Sequence, residues 1–187
     1  DIVTVTINGT EYTTVVDAAG NWGLGVPASV VQGLTDGTWT VGGSVTDVSG
    51  NTGSSAIDVV VNTSVPVIAL NTIAIDDVIN ATEKGEDLQL SGTSNQPAGT
   101  TITVTLNNIN YTTTTAADGN WSVTVPASAV SALGEANYTV SAAVTDSVGN
   151  SASTTQDVQV DSALPGVTTN TIAGDNESNA AEAAAGR

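Results

Sequence analysis

The strongest constraint on this chain is that it repeats itself at one fixed offset. Thr4 to Tyr12 (TVTINGTEY) aligns with Thr103 to Tyr111 (TVTLNNINY). Gly20–Trp22 aligns with Gly119–Trp121, and Val26–Ser29 with Val125–Ser128. Thr46, Asp47, Gly50 and Asn51 align with Thr145, Asp146, Gly149 and Asn150, and Asn71–Ala74 with Asn170–Ala173. Every match has an offset of 99 residues and needs no gap; 28 of the first 65 positions are identical to their partners. Self-similarity at one spacing marks a chain built from serial units. The phase predicts that 1–64 is the back two-thirds of one unit, 65–164 a complete unit and 165–187 the start of a third. With no initiator Met and no leader-like segment, the chain reads as a window on a longer array.

Period-2 alternation sets the fold class. In the complete unit Ile68 and Leu70 mark a strand, as do Leu88 and Leu90. Ile102, Val104 and Leu106 alternate with Thr, and Tyr111–Thr115 follows a short turn. Trp121, Val123 and Val125 mark a fifth strand. Tyr138, Val140, Ala142 and Val144 mark a sixth, and Val158 and Val160 a seventh. About seven short strands in roughly a hundred residues predict an all-β sandwich. Pro126–Leu133 predicts one helical turn between the fifth and sixth strands. Trp22 and Trp121 each start a strand, which points to core packing over a sugar-stacking platform. Trp39 and Tyr138, matched at the start of the sixth strand, predict a ring wedged at the sandwich corner.

Composition removes several classes of function. Nineteen acids against two bases and no His leave a net charge of −17. Nucleic acid and anionic membranes are excluded as partners by like-charge repulsion. The absence of Cys excludes a disulfide frame and a thiolate metal site, and the absence of His excludes an imidazole base. Ser and Thr hydroxyls without His, and one lone amine at Lys84, assemble no triad, so no enzyme is expected. No apolar run reaches the length of a membrane span.

The motif order carries a family resemblance over the whole chain. Asp76-Asp77-Val-Ile-Asn80-Ala-Thr-Glu83 is followed by Thr103–Leu106, Asp118-Gly-Asn-Trp121, Val125-Pro-Ala, Thr145-Asp146 with Gly149-Asn150, and Val158-Gln-Val-Asp161. This series resembles the bacterial Ig-like repeats of giant secreted adhesins, the repeats-in-toxin and biofilm-associated surface proteins. The resemblance implies tandem Ig-like sandwiches outside the cell that bind calcium and hold an adhesive tip away from the surface. Two alternatives stand beside the extender role: an Ig-like binding module for glycan or protein, and a matrix- or filament-forming protein whose copies associate laterally. Asn62 where the next unit has Asp161, and Asn176 in place of Asp77, depart from the pattern.

Alternating strand direction sorts the acids into two ends. Asp76, Asp77, Glu83, Glu86, Asp87, Glu135 and Asp161 fall at the downstream end, where the chain leaves a unit. Asp118 and Asp146, with Asn120 and Asn150, fall at the upstream end. Crowded carboxylates repel by roughly 1 kcal/mol per pair in water at about 4 Å, and more when partly dry. Carboxylate and amide oxygens without His or Cys suit a hard cation, Ca2+ before Mg2+. The predicted ligands are Asp76, Asp77, Asn80 and Glu83, with Asp175, Asn176, Asn179 and Glu182 at the same four positions in the next unit. Asp47, Asn62, Asp118, Asp146, Asn150 and Asp161 are further candidates. A turn-forming role competes at Asp118-Gly-Asn120 and Gly149-Asn150. The expected partners are neighbouring repeats of the same chain, with lateral association left open.

Overall fold

The computed structural model describes residues 1–169 and 180–184 of the chain. The first 61 residues contribute β1 (Ile2–Ile7), β2 (Thr10–Val15), the short helix α1 (Ala28–Gln32), β3 (Gly37–Thr46) and β4 (Thr52–Val61). These strands form one antiparallel sheet in the order β2-β1-β3-β4. β5 (Ile68–Leu70), β6 (Val78–Ile79), β7 (Leu88–Ser94), β8 (Thr101–Leu106) and β9 (Ile109–Thr114) follow. β10 (Asn120–Val125), α2 (Ala127–Ser131), β11 (Asn137–Thr145), β12 (Ser151–Val160) and α3 (Ala180–Ala184) complete the element order.

Residues 68–160 form a sandwich of two sheets, one ordered β10-β7-β5 and the other β6-β12-β11-β8-β9. All seven strands expected from the alternation are present. β7 and β8 bury every second side chain, as a strand with one face on a core must. The core comprises Ile73, Ile79, Leu88, Leu90, Ile102, Val104, Leu106, Trp121, Val125, Val140, Val158 and their neighbours. Each fully buried aliphatic side chain contributes about 1.5–3 kcal/mol. Gly92 in β7 faces the Trp121 ring and the backbone of β5. A Cβ there would collide with the Ala69 carbonyl and the Trp121 indole, so only glycine lets the ring and the β5 backbone come this close.

The hairpins β1–β2 and β8–β9 have the same register. Val5 sits opposite Tyr12, and Val104 opposite Tyr111. Both turn on a pair of left-handed residues, Asn8-Gly9 (φ 50° and 73°) and Asn107-Asn108 (φ 49° and 61°). Two positive-φ residues make the tight turn whose twist matches the strands. The predicted corner rings are also in place, with opposite polarity. Trp39 donates its indole N–H to the Thr35 carbonyl at 2.9 Å. Tyr138 accepts at its hydroxyl from the Gly134 N–H at 2.9 Å.

Two features escaped the alternation. β6 is two residues long and pairs in parallel with the end of β12, Val78 with Gln159 and Ile79 with Val160. Glu83–Gly85 forms a 3-10 turn where an open ligand loop was expected.

Candidate functional site

The acidic ends of the sandwich are where chemistry was expected. At the downstream end the segment after β5 is held by its own side chains. Asp77 accepts the Ile73 N–H at 2.7 Å through Oδ1 and the Gln156 amide of β12 at 2.9 Å through Oδ2. This buttress fixes Asp77 in the left-handed region (φ 63°). Asp76 accepts the Val78 N–H at 3.1 Å. Asn80 and Glu83 cap the 3-10 turn reciprocally. Asn80 Oδ1 takes the Thr82 and Glu83 N–H groups at 2.9 and 3.2 Å, and Glu83 Oε2 takes the Asn80 N–H at 3.1 Å. That is a capping box, and the Asn-x-x-Glu spacing was its signal.

Among the described residues, no three acidic side chains converge on one metal centre. The four expected ligands therefore line successive stretches of one loop. Glu83, Glu86 and Asp87 border an open cleft with Thr72, Ala74 and Leu88. Its carboxylates, with the Thr72 hydroxyl and the Gln89 amide, offer oxygen atoms of the kind a hard cation takes. Asp87 also accepts the Ala127 N–H at 2.7 Å and so ties this end to α2. Asp175, Asn176 and Asn179 lie outside the described residues, as does the Glu182 side chain.

The upstream turns share one design. Asp47 Oδ1 accepts the N–H groups of Ser49 and Asn51, and its Oδ2 accepts the Asn51 amide at 2.9 Å. Asp146 repeats the pattern with Val148 and Asn150. Asp118 holds the Asn120 N–H at 3.0 Å and its amide at 2.6 Å. In the first repeat that service comes from Asp17, which binds the Asn21 N–H at 2.8 Å. The acid has moved along the turn and still serves the matching Asn. Hydrogen bonds to the charged form lower a carboxyl pKa. The Asn51 side chain holds Asp47 below its ordinary value, and the Asn120 N–H does the same for Asp118. At Asp146 desolvation pushes upward, and the bonds from Asn150, Val148 and Gly149 outweigh it.

The linker between β4 and β5 is clasped on both sides. Asp36 accepts the N–H and hydroxyl of Thr63 at 2.9 and 2.8 Å, and the Ser64 hydroxyl at 3.1 Å. Thr63 in turn lowers the Asp36 pKa. One residue earlier, Asn62 donates its amide to Asp146 Oδ2 at 3.1 Å, and Asn150 returns a bond to the Asn62 carbonyl at 2.9 Å. Of the expected ligands, Asn62, Asp146 and Asn150 thus meet at one point, as hydrogen-bond partners.

The downstream counterpart of Asp36 is Glu135. It accepts the Ser162 N–H at 2.9 Å, the Ser162 hydroxyl, and Lys84 Nζ at 3.1 Å. Ser162 first, then Lys84, pull its pKa from 4.5 to about 2. Asp161 forms the turn that Asn62 forms, with the Ala163 N–H on Oδ1 at 3.3 Å. The linker roles of Asp36 and Glu135 were not foreseen. The available signal was an acid at one offset matched by a hydroxyl at another, Thr63 and Ser162.

Trp121 is 3 % exposed and packs in the core, as expected. Trp22 is 51 % exposed, against that expectation. Residue 1 aligns with residue 100, so these residues include no counterpart of β5 and β7 to cover its ring.

Residues 71–162 match the bacterial Ig-like domain family. A bacterial immunoglobulin-like domain from the M. primoryensis ice-binding adhesin is 34% identical, with 53% of this chain and 100% of that one covered, at a TM-score of 0.41. This chain belongs to the bacterial Ig-like family. A Ca2+-stabilized adhesin that helps an Antarctic bacterium reach out and bind ice is 33% identical, at a TM-score of 0.50. That alignment covers 94% of this chain and 44% of the adhesin structure, so the Ig-like chain spans less than half of it. A tetra-tandem repeat from the extending region of a large adhesion protein is 27% identical, covering 86% of this chain and 42% of that one, at a TM-score of 0.44. No curated protein matches the sequence.

Proposed function

We propose that this chain is a stretch of extender repeats from a secreted bacterial adhesin, outside the cell, with a mechanical and non-catalytic role. The observation that carries the reading is the doubly clasped linker. One repeat is joined in series to the next through residues bonded to both, Thr63 and Ser64 to Asp36 and Asn62 to Asp146. Serial sandwiches with fixed joints make a rod, each unit adding roughly 30–40 Å if strands of about ten residues set its long axis. Such a rod places a distal adhesive tip away from the cell. The calcium-stabilised relative supports assigning the same ion to this chain.

Calcium in this reading binds the acidic downstream ends. Asp76, Asp77, Asn80 and Glu83 are the proposed donors in one unit, and Asp175, Asn176, Asn179 and Glu182 in the next. Asp118 and Asp161 add oxygens at the unit boundaries, as Asp47 does at the upstream end of the first repeat. The ion supplies positive charge at ends where nineteen acids face two bases along the chain. The protein's own part is to hold the loops in place, through the Asn80–Glu83 cap and the Asp77–Gln156 buttress.

The test is calorimetric titration with calcium, plus thermal unfolding of the full chain in chelator and in millimolar calcium. A ligand at a hundred times its Kd stabilises by about 2.7 kcal/mol, so the midpoint rises by several degrees. No binding heat and an unchanged midpoint remove calcium from the proposal. Glu83→Gln reduces the shift if the downstream loop is the site.

A further inference from the structure

The joint at Asn62 is built from side chains that a cation does not need. The Asn62 amide is oriented without ambiguity, because its Oδ1 accepts the Ser64 N–H at 3.0 Å and its nitrogen must therefore face Asp146. Asp146 Oδ2 receives two amide donors, from Asn62 at 3.1 Å and Asn150 at 2.9 Å, while Oδ1 receives the Val148 and Asn150 N–H groups. The four donors occupy the carboxylate on both oxygens, and what Asn62 points at it is N–H. A divalent ion needs oxygen lone pairs in that place. The donor set at this joint does not fit calcium.

We infer that Asn62 is the residue that frees this joint from a cation: its amide makes the contact to Asp146 that a carboxylate at the same position could make only through a metal ion. Asp161 adopts the same turn, its Oδ1 accepting the Ala163 N–H, and so offers a carboxylate oxygen where Asn62 offers an amide. An aspartate at 62 would leave two carboxylates across the 3.1 Å that the amide now spans. A joint of this geometry is therefore self-sufficient with Asn and ion-dependent with Asp. The inference rests on the reading of the chain as repeats joined in series, and not on calcium binding at the downstream loops.

The chain contains no Cys, so Thr13→Cys and Thr112→Cys place one spin label at an exposed position of β2 and one at the matching position of β9. Double electron–electron resonance then reads the spread of inter-repeat distances in the full chain, in chelator and in millimolar calcium. The wild-type joint should give one narrow distribution in both. Asn62→Asp should broaden it roughly twofold in chelator, since adjacent carboxylates repel, and narrow again with calcium. The exchanged pair Asn62→Asp with Asp146→Asn should lose the calcium response. Wild-type broadening in chelator overturns the inference, as does a wild-type spread that is wide in both conditions. An Asn62→Asp chain that matches wild type in chelator overturns it too. Should calorimetry find no calcium bound at the downstream loops, the proposed role of that ion fails while a chelator-insensitive wild-type joint upholds this inference.

Discussion

Trp22 and Trp121 stand at matching places in two copies of one pattern, GNW followed by VPAS, yet one is half exposed and the other is buried. Around Trp121 the chain forms β10, paired with β7 from Asn120 opposite Thr93 to Val125 opposite Leu88. Around Trp22 residues 21–26 form no strand. The following short helix forms in both copies, α1 and α2, but Val130 is buried in the second while Val31 is 52 % exposed in the first. The hairpins, the long β3–β4 and β11–β12 pairs and the acidic turns are alike in both. The difference therefore divides local from non-local causes. Turns and hairpins need only neighbours in sequence, whereas a strand needs a partner for its N–H and C=O groups.

The contrast should disappear when that partner is supplied. Placing a second copy of residues 66–99 ahead of Asp1 adds counterparts of β5 and β7. Trp22 should then become buried, with a blue shift of its emission and slow amide exchange over residues 21–26. Covering Trp22 and Val31 is expected to stabilise the first repeat by on the order of 5 kcal/mol. An unshifted emission spectrum would break the comparison. In the chain as it stands, Trp121→Ala should cost about 3–5 kcal/mol in denaturant unfolding. Trp22→Ala should change stability by no more than about 0.5 kcal/mol. Equal costs would mean that Trp22 is covered in solution.

A smaller effect compares the two corners. Tyr138→Phe removes the acceptor for the Gly134 N–H and should lower stability by about 1 kcal/mol, leaving the Trp39 corner unchanged. The smallest effect concerns pH. Glu135 is ionised in the folded chain down to about pH 2, against an ordinary 4.5. Its bonds to Ser162 and Lys84 thus contribute stability above pH 4.5, and that contribution is lost as pH falls toward 2. Glu135→Gln should flatten that part of an acid-unfolding curve. Asp36, lowered by Thr63, gives the same direction at the first linker, and an Asp36→Asn curve that overlays wild type would show that this clasp opens in solution.

Much of the fold was legible in the sequence. Alternation placed all seven strands of the complete unit, with a short turn ahead of Tyr111. β6 was not legible, because two residues carry no period and its partner β12 lies about eighty residues on. At the candidate site, residue types identified the acidic ends but not the use of each oxygen. Asn80 and Glu83 looked like ligands and also satisfy a capping box; spacing alone does not separate the two. Asp36 and Glu135 carried no local motif, and their linker contacts span 27 residues.

The sequence by itself predicted the serial architecture, the sandwich class and the excess of oxygen donors at the ends, since each follows from short-range pattern or charge. Tertiary structure alone decided which acids grip the linker and that Asn62 meets Asp146. The physical reason is that pairing, burial and clasping depend on groups far apart in the chain, and a local pattern shows what a residue can do without showing what will be beside it.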